Sequence, residues 1–174
     1  VLDGAGLGAW DWHVPSGRVN FDQRFLAMLG YTAEEFPPHV SSWAKIVHPD
    51  DLNEVMAILQ QHLAGKTNMY STEHRLRRRD GRWIWVLDSG RVLERDTHGQ
   101  PIRVCGIHLD ITASREAEAL LRESESRYRS VVGALAEGIV VQDYQGAIVA
   151  CNDQACRILG LTRDQLYGLT SMDP

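Results

Sequence analysis

RRDGRWIWVLDSGRVLERDTHGQPIRVCGIHLDIT, residues 78–112, decides the architecture of this chain. Asp80-Gly81 is a strong hairpin signal, because tight two-residue turns need a residue tolerant of left-handed backbone. After it, Trp83, Trp85 and Leu87 alternate with Ile84, Val86 and Asp88, which is the period of a strand with two unlike faces. That strand runs from Arg82 to Arg95. Thr97-His98-Gly99 turns the chain again, and Ile102 to Ile111 forms the next strand. On the other side of the hairpin, Met69 to Arg79 completes a run of three long antiparallel strands.

Upstream, LGAWDWHV (residues 7–14) alternates like a strand, Pro15-Ser16-Gly17 turns, and Arg18 to Phe21 returns as a short second strand. Asp22 caps a helix whose Phe25, Leu26, Met28 and Leu29 lie at helical spacing and which Gly30 ends. Thr32-Ala33-Glu34-Glu35 has the form of a capping box for another short helix, stopped by Pro37-Pro38. Ser41 to Val47 forms a third helical piece with Trp43 and Ile46 inward. His48-Pro49-Asp50-Asp51 opens a longer helix to about Ala64, with proline at the first helical position and aspartates at the positive end of the dipole. Its stripe is Leu52, Val55, Met56, Leu59 and Leu63. Two strands, a cluster of helices and three strands give an α+β fold: a five-stranded antiparallel sheet with helices on one face.

Downstream, GIHLDITASREAEALLRESESRYRSVV (residues 106–132) passes from strand to helix, and no Pro or Gly interrupts the change until Gly133. A stiff junction transmits a small displacement of the last strand; a glycine-rich hinge would absorb it. Asp110 and Thr112 are the candidate fixings, since their oxygens suit the first free N–H groups of the helix. Along that helix Ala117, Leu121, Ser124, Tyr128, Val131 and Leu135 fall at alternating steps of four and three, the spacing of a coiled-coil seam with Ser124 as its defect. Glu118–Arg122, Glu123–Arg127 and Glu125–Arg129 are i,i+4 pairs, each adding roughly 0.2–0.5 kcal/mol. The stripe fits paired connector helices in a homodimer, and it also fits a helix folded back onto its own domain.

Residues 137–174 repeat the opening. Gly146 answers Gly17, Asn152 answers Asp22, Leu159-Gly160 answers Leu29-Gly30, and Thr162 answers Thr32. The offset is 130 residues from the caps onward, with one residue of slip in the hairpin. The second copy stops before its three long strands. A piece under about 40 residues rarely folds alone, so this one is expected to lean on the long helix, a partner chain or a lattice neighbour, with a swapped or shared arrangement in a homodimer preferred.

Composition sets outer bounds. The 174 residues are 44% apolar and 24% charged, enough for a core. A net charge of −5 argues against nucleic acid as partner. The basic run Arg75, Arg77, Arg78 and Arg79 reads as a solvated strand edge. No apolar stretch approaches the roughly 20 residues that span a bilayer, so direct membrane insertion is not expected, and no signal peptide is visible. Without an initiating Met the chain reads as an excerpt of something longer. Three cysteines (Cys105, Cys151, Cys156) make no CxxC pattern and suit reduced thiols in the cytoplasm.

Taken in order, these segments resemble a PAS domain. GLGAWDWHVPSGRVNFDQRFLAMLGYTAEEF resembles its opening hairpin and helices, VHPDD the start of its long helix, and residues 78–112 its closing strands. Asp110-Ile111-Thr112 resembles the family's DIT signature at the signalling junction. The division implied is a PAS sensory domain at 1–112, a connector helix at 113–136, and the start of a second PAS domain at 137–174.

The resemblance implies a non-catalytic sensory and dimerisation module of a cytoplasmic signalling protein. Its output domain would be a histidine kinase, a diguanylate cyclase or a phosphodiesterase, though no GGDEF, EAL or kinase histidine box occurs here. The alternative is a ligand-free interaction scaffold that only sets dimer geometry. Candidate lining of a small-molecule site between helices and sheet is Phe25, Met28, Trp43, Met56, Leu59, Trp85 and His108. A filled core without cofactor is the leading expectation, and noncovalent flavin is the alternative. Haem is not expected, because the only histidine in the long helix, His62, reads as lying away from the apolar stripe. His48, Asp50 and Asp51 are explained by the helix start without metal. GAGLG at 4–8 precedes a strand and so lacks the helix N-terminus of a phosphate site. No pairing of acid and base points to catalysis.

Overall fold

Gly81, at φ 87°, turns β3 (Tyr70–Arg77) into β4 (Trp83–Arg95), and the two pair from Arg77↔Trp83 to Tyr70↔Gly90. The computed structural model describes residues 6–134 and 137–170, which divide into two compact units, one up to Glu116 and one from Ala117.

In the first unit β1 (Leu7–His13) and β2 (Arg18–Phe21) form the opening hairpin, with one turn of 3₁₀ helix at Val14–Ser16 between them. β5 (Pro101–Asp110) pairs with both β1 and β4. The antiparallel order is β2-β1-β5-β4-β3, so the first and last strand groups meet at β1 and β5. Between the groups run α1 (Gln23–Leu29), α2 (Val40–Ile46) and α3 (Pro49–Leu63). Asp22 Oδ1 accepts from Phe25 N–H at 2.7 Å and starts α1. His48 Nδ1 accepts from Asp50 N–H and starts α3, with Pro49 behind it. The buried set from both layers includes Phe25, Leu29, Trp43, Leu59, Leu76, Val86 and Val104.

Three local expectations change. Thr32–Glu35 forms a turn and not a helix: Thr32 N–H donates to Glu35 Oε2, but the prolines at 37 and 38 leave no residues to propagate a helix. β5 ends at Asp110, so Ile111 belongs to the junction, and α4 (Thr112–Ala134) starts one residue earlier than the sequence suggests. His62 is buried at 2% exposure and not on the outer side of α3. Its Nε2 accepts from Val92 N–H at 3.1 Å, and Nδ1 lies 3.1 Å from Thr67 O. Both ring nitrogens are therefore engaged, Nε2 tying the end of α3 to β4 and Nδ1 holding the loop that follows the helix.

The second unit contains β6 (Val140–Gln142), β7 (Ile148–Cys151), α5 (Asp153–Leu159) and α6 (Arg163–Leu166) beside the later part of α4. Its details copy the first unit. Asn152 N–H donates to Ile139 O as Asp22 N–H does to Ala9 O, and both side chains cap the next helix at its third residue. A Cβ on Gly138 would stand 2.9 Å from Ala155 Cα, as one on Gly8 would stand 2.5 Å from Phe25 Cα. Thr162 and Gln165 complete the capping box that stays a turn in the first copy. Asn152 Nδ2 also donates to Val132 O at 3.2 Å and Glu137 O at 2.9 Å, so the partial repeat does lean on the long helix.

Along α4, Ala117, Leu121, Ser124, Tyr128 and Val131 are all exposed, Leu121 at 62% and Tyr128 at 67%. Leu120 is exposed beside them. Leu135, the last seam position, lies outside the described residues. The Glu123–Arg127 pair forms at 2.7 Å. Cys151 and Cys156 are free thiols with Sγ atoms 3.7 Å apart, and Cys105 is also free.

Candidate functional site

The inner face of the sheet carries polar groups where a plain core would carry aliphatic ones. Asp88 on β4 stands opposite Thr72 on β3 and His108 on β5, and His74 is one inward position further along β3. Asp88, His74 and His108 are 3%, 0% and 2% exposed. Their arrangement begins with two facing glycines, Gly90 and Gly106, on which the Trp10 indole lies. A Cβ on Gly106 would stand 2.3 Å from Trp10 Cζ2, and one on Gly90 2.7 Å from Trp10 Cη2. So seated, Trp10 Nε1–H donates to Asp88 Oδ1 at 2.9 Å. His108 Nε2 is 3.2 Å from Asp88 Oδ2.

A hydroxyl chain orients the third group. Thr72 Oγ1–H donates to Tyr70 Oη at 2.9 Å, and His74 Nδ1 lies 3.2 Å from Thr72 Oγ1. With the Thr72 proton committed to Tyr70, Thr72 accepts from His74 Nδ1–H, and the bare lone pair of His74 is on Nε2. Burial, above all, lowers the His74 imidazole to about 4; Asp88 opposes that shift and His108 reinforces it. His74 is therefore neutral at pH 7. Burial and the adjacent Asp88 carboxylate hold the Tyr70 phenol far above its ordinary range, so it stays a donor.

Beside this cluster is a cavity of about 30 Å³, with Trp10, Trp12, Trp43, Leu59, Asp88 and His108 on its wall. At roughly 10–15 Å³ per water it has room for about two waters. An isoalloxazine ring would require the aromatic walls to repack. Trp12 Nε1 and Trp43 Nε1 are buried donors without a hydrogen-bond partner among the described residues.

Of the residues expected to line the interior, Trp43, Leu59 and His108 meet at this cavity. Phe25 packs on the His108 ring at 5.0 Å between centroids. Met28 and Met56 pack on the core from half-buried positions. Trp85 is a correction: it belongs to the outer face, because Ile84, Val86 and Asp88 point inward and a strand alternates. The expected list omits Trp10, Asp88 and His74. The parity that removes Trp85 would have added Asp88, once the aliphatic pair Ile84 and Val86 was given the inner side.

Trp85 belongs instead to the junction. Thr112 Oγ1 accepts from Trp85 N–H at 3.0 Å, and Ile111 N–H donates to Trp85 O at 2.9 Å. Asp110 Oδ1 accepts from Thr112 N–H at 2.9 Å, capping α4. Arg115, in the first turn of α4, lies over the Trp85 ring at 4.1 Å and pairs with Glu73 on β3. All three residues of Asp110-Ile111-Thr112 thus make a bond that fixes the helix start, two of them to β4.

A PAS fold model matches residues 18–108, and a PAS domain model matches 126–174. The chain belongs to the PAS family and is a sensory signalling module followed by a second, partial PAS segment. It resembles the sensory box histidine kinase/response regulator of Burkholderia thailandensis E264 with 32% identity and a TM-score of 0.63, over 74% of this chain and 95% of that one. Among curated relatives, the methyl sulfide methyltransferase-associated sensor of Methanosarcina acetivorans is 29% identical over 87% of the chain. The Escherichia coli (strain K12) protein named "Probable diguanylate cyclase DgcE" is 24% identical over 96% of it. The chain spans 15% of the length of each of these two curated relatives. Among the described residues no helix is long and apolar enough to cross a membrane.

Proposed function

We propose that this chain is the non-catalytic input segment of a larger cytoplasmic signalling protein, and that a change in the polar interior is relayed through the DIT junction to α4. One observation carries this reading. Two of the strands that hold the interior cluster also hold the junction: β4 carries Asp88 inward and Trp85 outward, and β5 carries His108 and then Asp110. A ligand in the interior that moves β4 against β5 changes the seat of Thr112 directly. Such a ligand shifts the output only by its differential affinity for the two arrangements.

The division that supports this reading is a PAS sensory domain at 1–112, a connector at 113–136 and the start of a second PAS domain at 137–174. The exposed stripe Ala117, Leu121, Tyr128 and Val131 suits a second copy of this chain as partner, because its apolar steps of four and three repeat the seam of a parallel pair. The output domain, by analogy with the kinase and cyclase named among its relatives, lies in the same parent chain. Ile111-Thr112 replaced by Gly-Gly in that parent tests the relay: regulation is lost while the sensor stays folded. Regulation unchanged in that variant refutes it.

A second reading is favoured by the small cavity. An interior with room for about two waters also suits a ligand-free scaffold that sets dimer geometry only. Native mass spectrometry separates the two readings, since a retained small molecule supports the sensor and its consistent absence supports the scaffold.

A further inference from the structure

We propose that His74, Asp88 and His108 form a buried site for a divalent first-row transition metal ion of the zinc or iron(II) type. The proposal deepens the sensory reading by naming a ligand class, and it rests on that reading only for its signalling consequence.

The donor set is two imidazoles and one carboxylate from three adjacent strands, with one ligating atom from each lying within 4.8 Å of the others. A tetrahedral zinc site with bonds of roughly 2.0–2.2 Å holds neighbouring donors about 3.3–3.6 Å apart. Asp88 Oδ2 and His108 Nε2, at 3.2 Å, stand just short of that separation. The His74 donor lies within 4.8 Å of both and would close on them to complete the site. Imidazole nitrogen and carboxylate oxygen together suit zinc and iron(II) and leave coordination positions open.

Three further observations point to a ligand. His74 Nε2 is fully buried and has no hydrogen bond among the described residues, and the equally buried His108 Nε2 has only its 3.2 Å ionic contact with Asp88 Oδ2. Buried polar atoms are rarely left so, and each costs about 1–3 kcal/mol when unmatched. The second observation is the surrounding support. Metal-bound histidines commonly donate their other N–H to a fixed acceptor. His74 Nδ1 has Thr72 Oγ1 in that position, and Trp10 Nε1–H holds the Asp88 oxygen that faces away from His108. The third is charge. Asp88 is a buried carboxylate whose only ion-pair partner among the described residues is His108; a divalent cation would compensate it without requiring either histidine to be protonated. The adjoining cavity shares Asp88 and His108 and leaves space for a water as a further metal ligand.

The test uses the 174-residue chain, stripped with a chelator and titrated with Co²⁺ and then Zn²⁺. The expected result is one Co²⁺ per chain with visible d–d absorption that Zn²⁺ abolishes, and a rise in unfolding temperature with either ion. His74→Gln and Asp88→Asn should lose the absorption while retaining the far-UV circular dichroism of the fold; His98→Ala, on an exposed turn, should keep it. Thr72→Val and Trp10→Phe should each weaken binding by roughly 10–100-fold, with Thr72→Ser restoring it. Folded wild-type protein that gives no Co²⁺ absorption overturns the site, as does absorption that survives both His74→Gln and Asp88→Asn. Hydrogen exchange across residues 110–116 in the same titration separates binding from signalling. Stoichiometric binding without a change there supports the metal site and counts against the relay alone.

Discussion

Asp88 and Trp85 stand three residues apart on β4 and face opposite sides of the sheet, Asp88 held by the Trp10 indole inside and Trp85 held through its backbone by Thr112 outside. A strand is stiff along its length and its neighbours are hydrogen-bonded to it. Movement of one side chain's seat therefore reaches the other without a chain of loosely packed intermediates.

The first prediction concerns the clamp. Thr112→Val keeps the β-branched shape and removes the hydroxyl that accepts from Trp85 N–H. The Trp85 and Ile111 amides should exchange faster in the variant, and stability should fall by about 0.5–1.5 kcal/mol. Chemical denaturation and hydrogen exchange by mass spectrometry check both. Thr112→Ser should recover most of the loss.

A second prediction follows from the glycine floor. Gly106→Ala places a Cβ against the Trp10 ring and 2.2 Å from Ser89 O, and backbone cannot yield as a flexible side chain does. The cost should be at least about 1–3 kcal/mol, read as a lowered denaturation midpoint. Gly146→Ala, whose Cβ meets nothing within 4 Å, should cost less and act only through its left-handed turn at φ 87°.

pH supplies a third. Burial holds the His62 imidazole below its ordinary value of 6.5, with the hydrogen bond to Thr67 opposing the shift. Nε2 must keep its lone pair to accept from Val92 N–H. The unfolded chain takes up a proton near pH 6.5 and the folded chain does not, so this contribution to stability is complete above 6.5 and declines as pH falls toward the lower folded value. His62→Gln should flatten that part of the stability–pH curve, measured by denaturant titration at several pH values. An unchanged slope would contradict the assignment.

The connector yields a fourth. If two copies pair along Leu121, Tyr128 and Val131, then Leu121→Lys with Tyr128→Lys should move the chain toward monomer in sedimentation equilibrium, leaving the thermal unfolding of residues 6–116 unchanged. The salt-linked outer pair Glu123–Arg127 should matter little, since exposed i,i+4 pairs contribute roughly 0.3–0.5 kcal/mol.

Much of this molecule can be read from its sequence because the informative signals are local. Asp80-Gly81, the capping residues Asp22 and Asn152, and the glycines ending α1 and α5 each act through a few adjacent backbone groups, so the succession of elements along the chain and the repeat are visible without coordinates. The DIT junction was legible for the same reason. The interior cluster was not. Its members come from β1, β3, β4 and β5, and only the register that sets Asp88 against His108 and Gly90 against Gly106 brings them together. The tryptophans misled in a physical way: a large aromatic suggests burial, yet Trp85 serves the outer face as a platform for Arg115, while Trp10 goes inside because two glycines make room for it. His62 reads from the sequence as lying away from the core because a strict apolar stripe counts a histidine as polar, whereas a fully hydrogen-bonded imidazole packs well.

The central claim is that the interior and the helix junction share one mechanical element. Hydrogen exchange at the Trp85 and Ile111 amides, compared between wild type and Asp88→Asn, tests it most directly. The account predicts that this interior substitution, on the opposite side of the sheet, accelerates exchange at both amides while the remote β2 amides keep wild-type rates. Identical rates at Trp85 and Ile111, in a variant whose Trp10 environment has demonstrably changed by fluorescence, would contradict it.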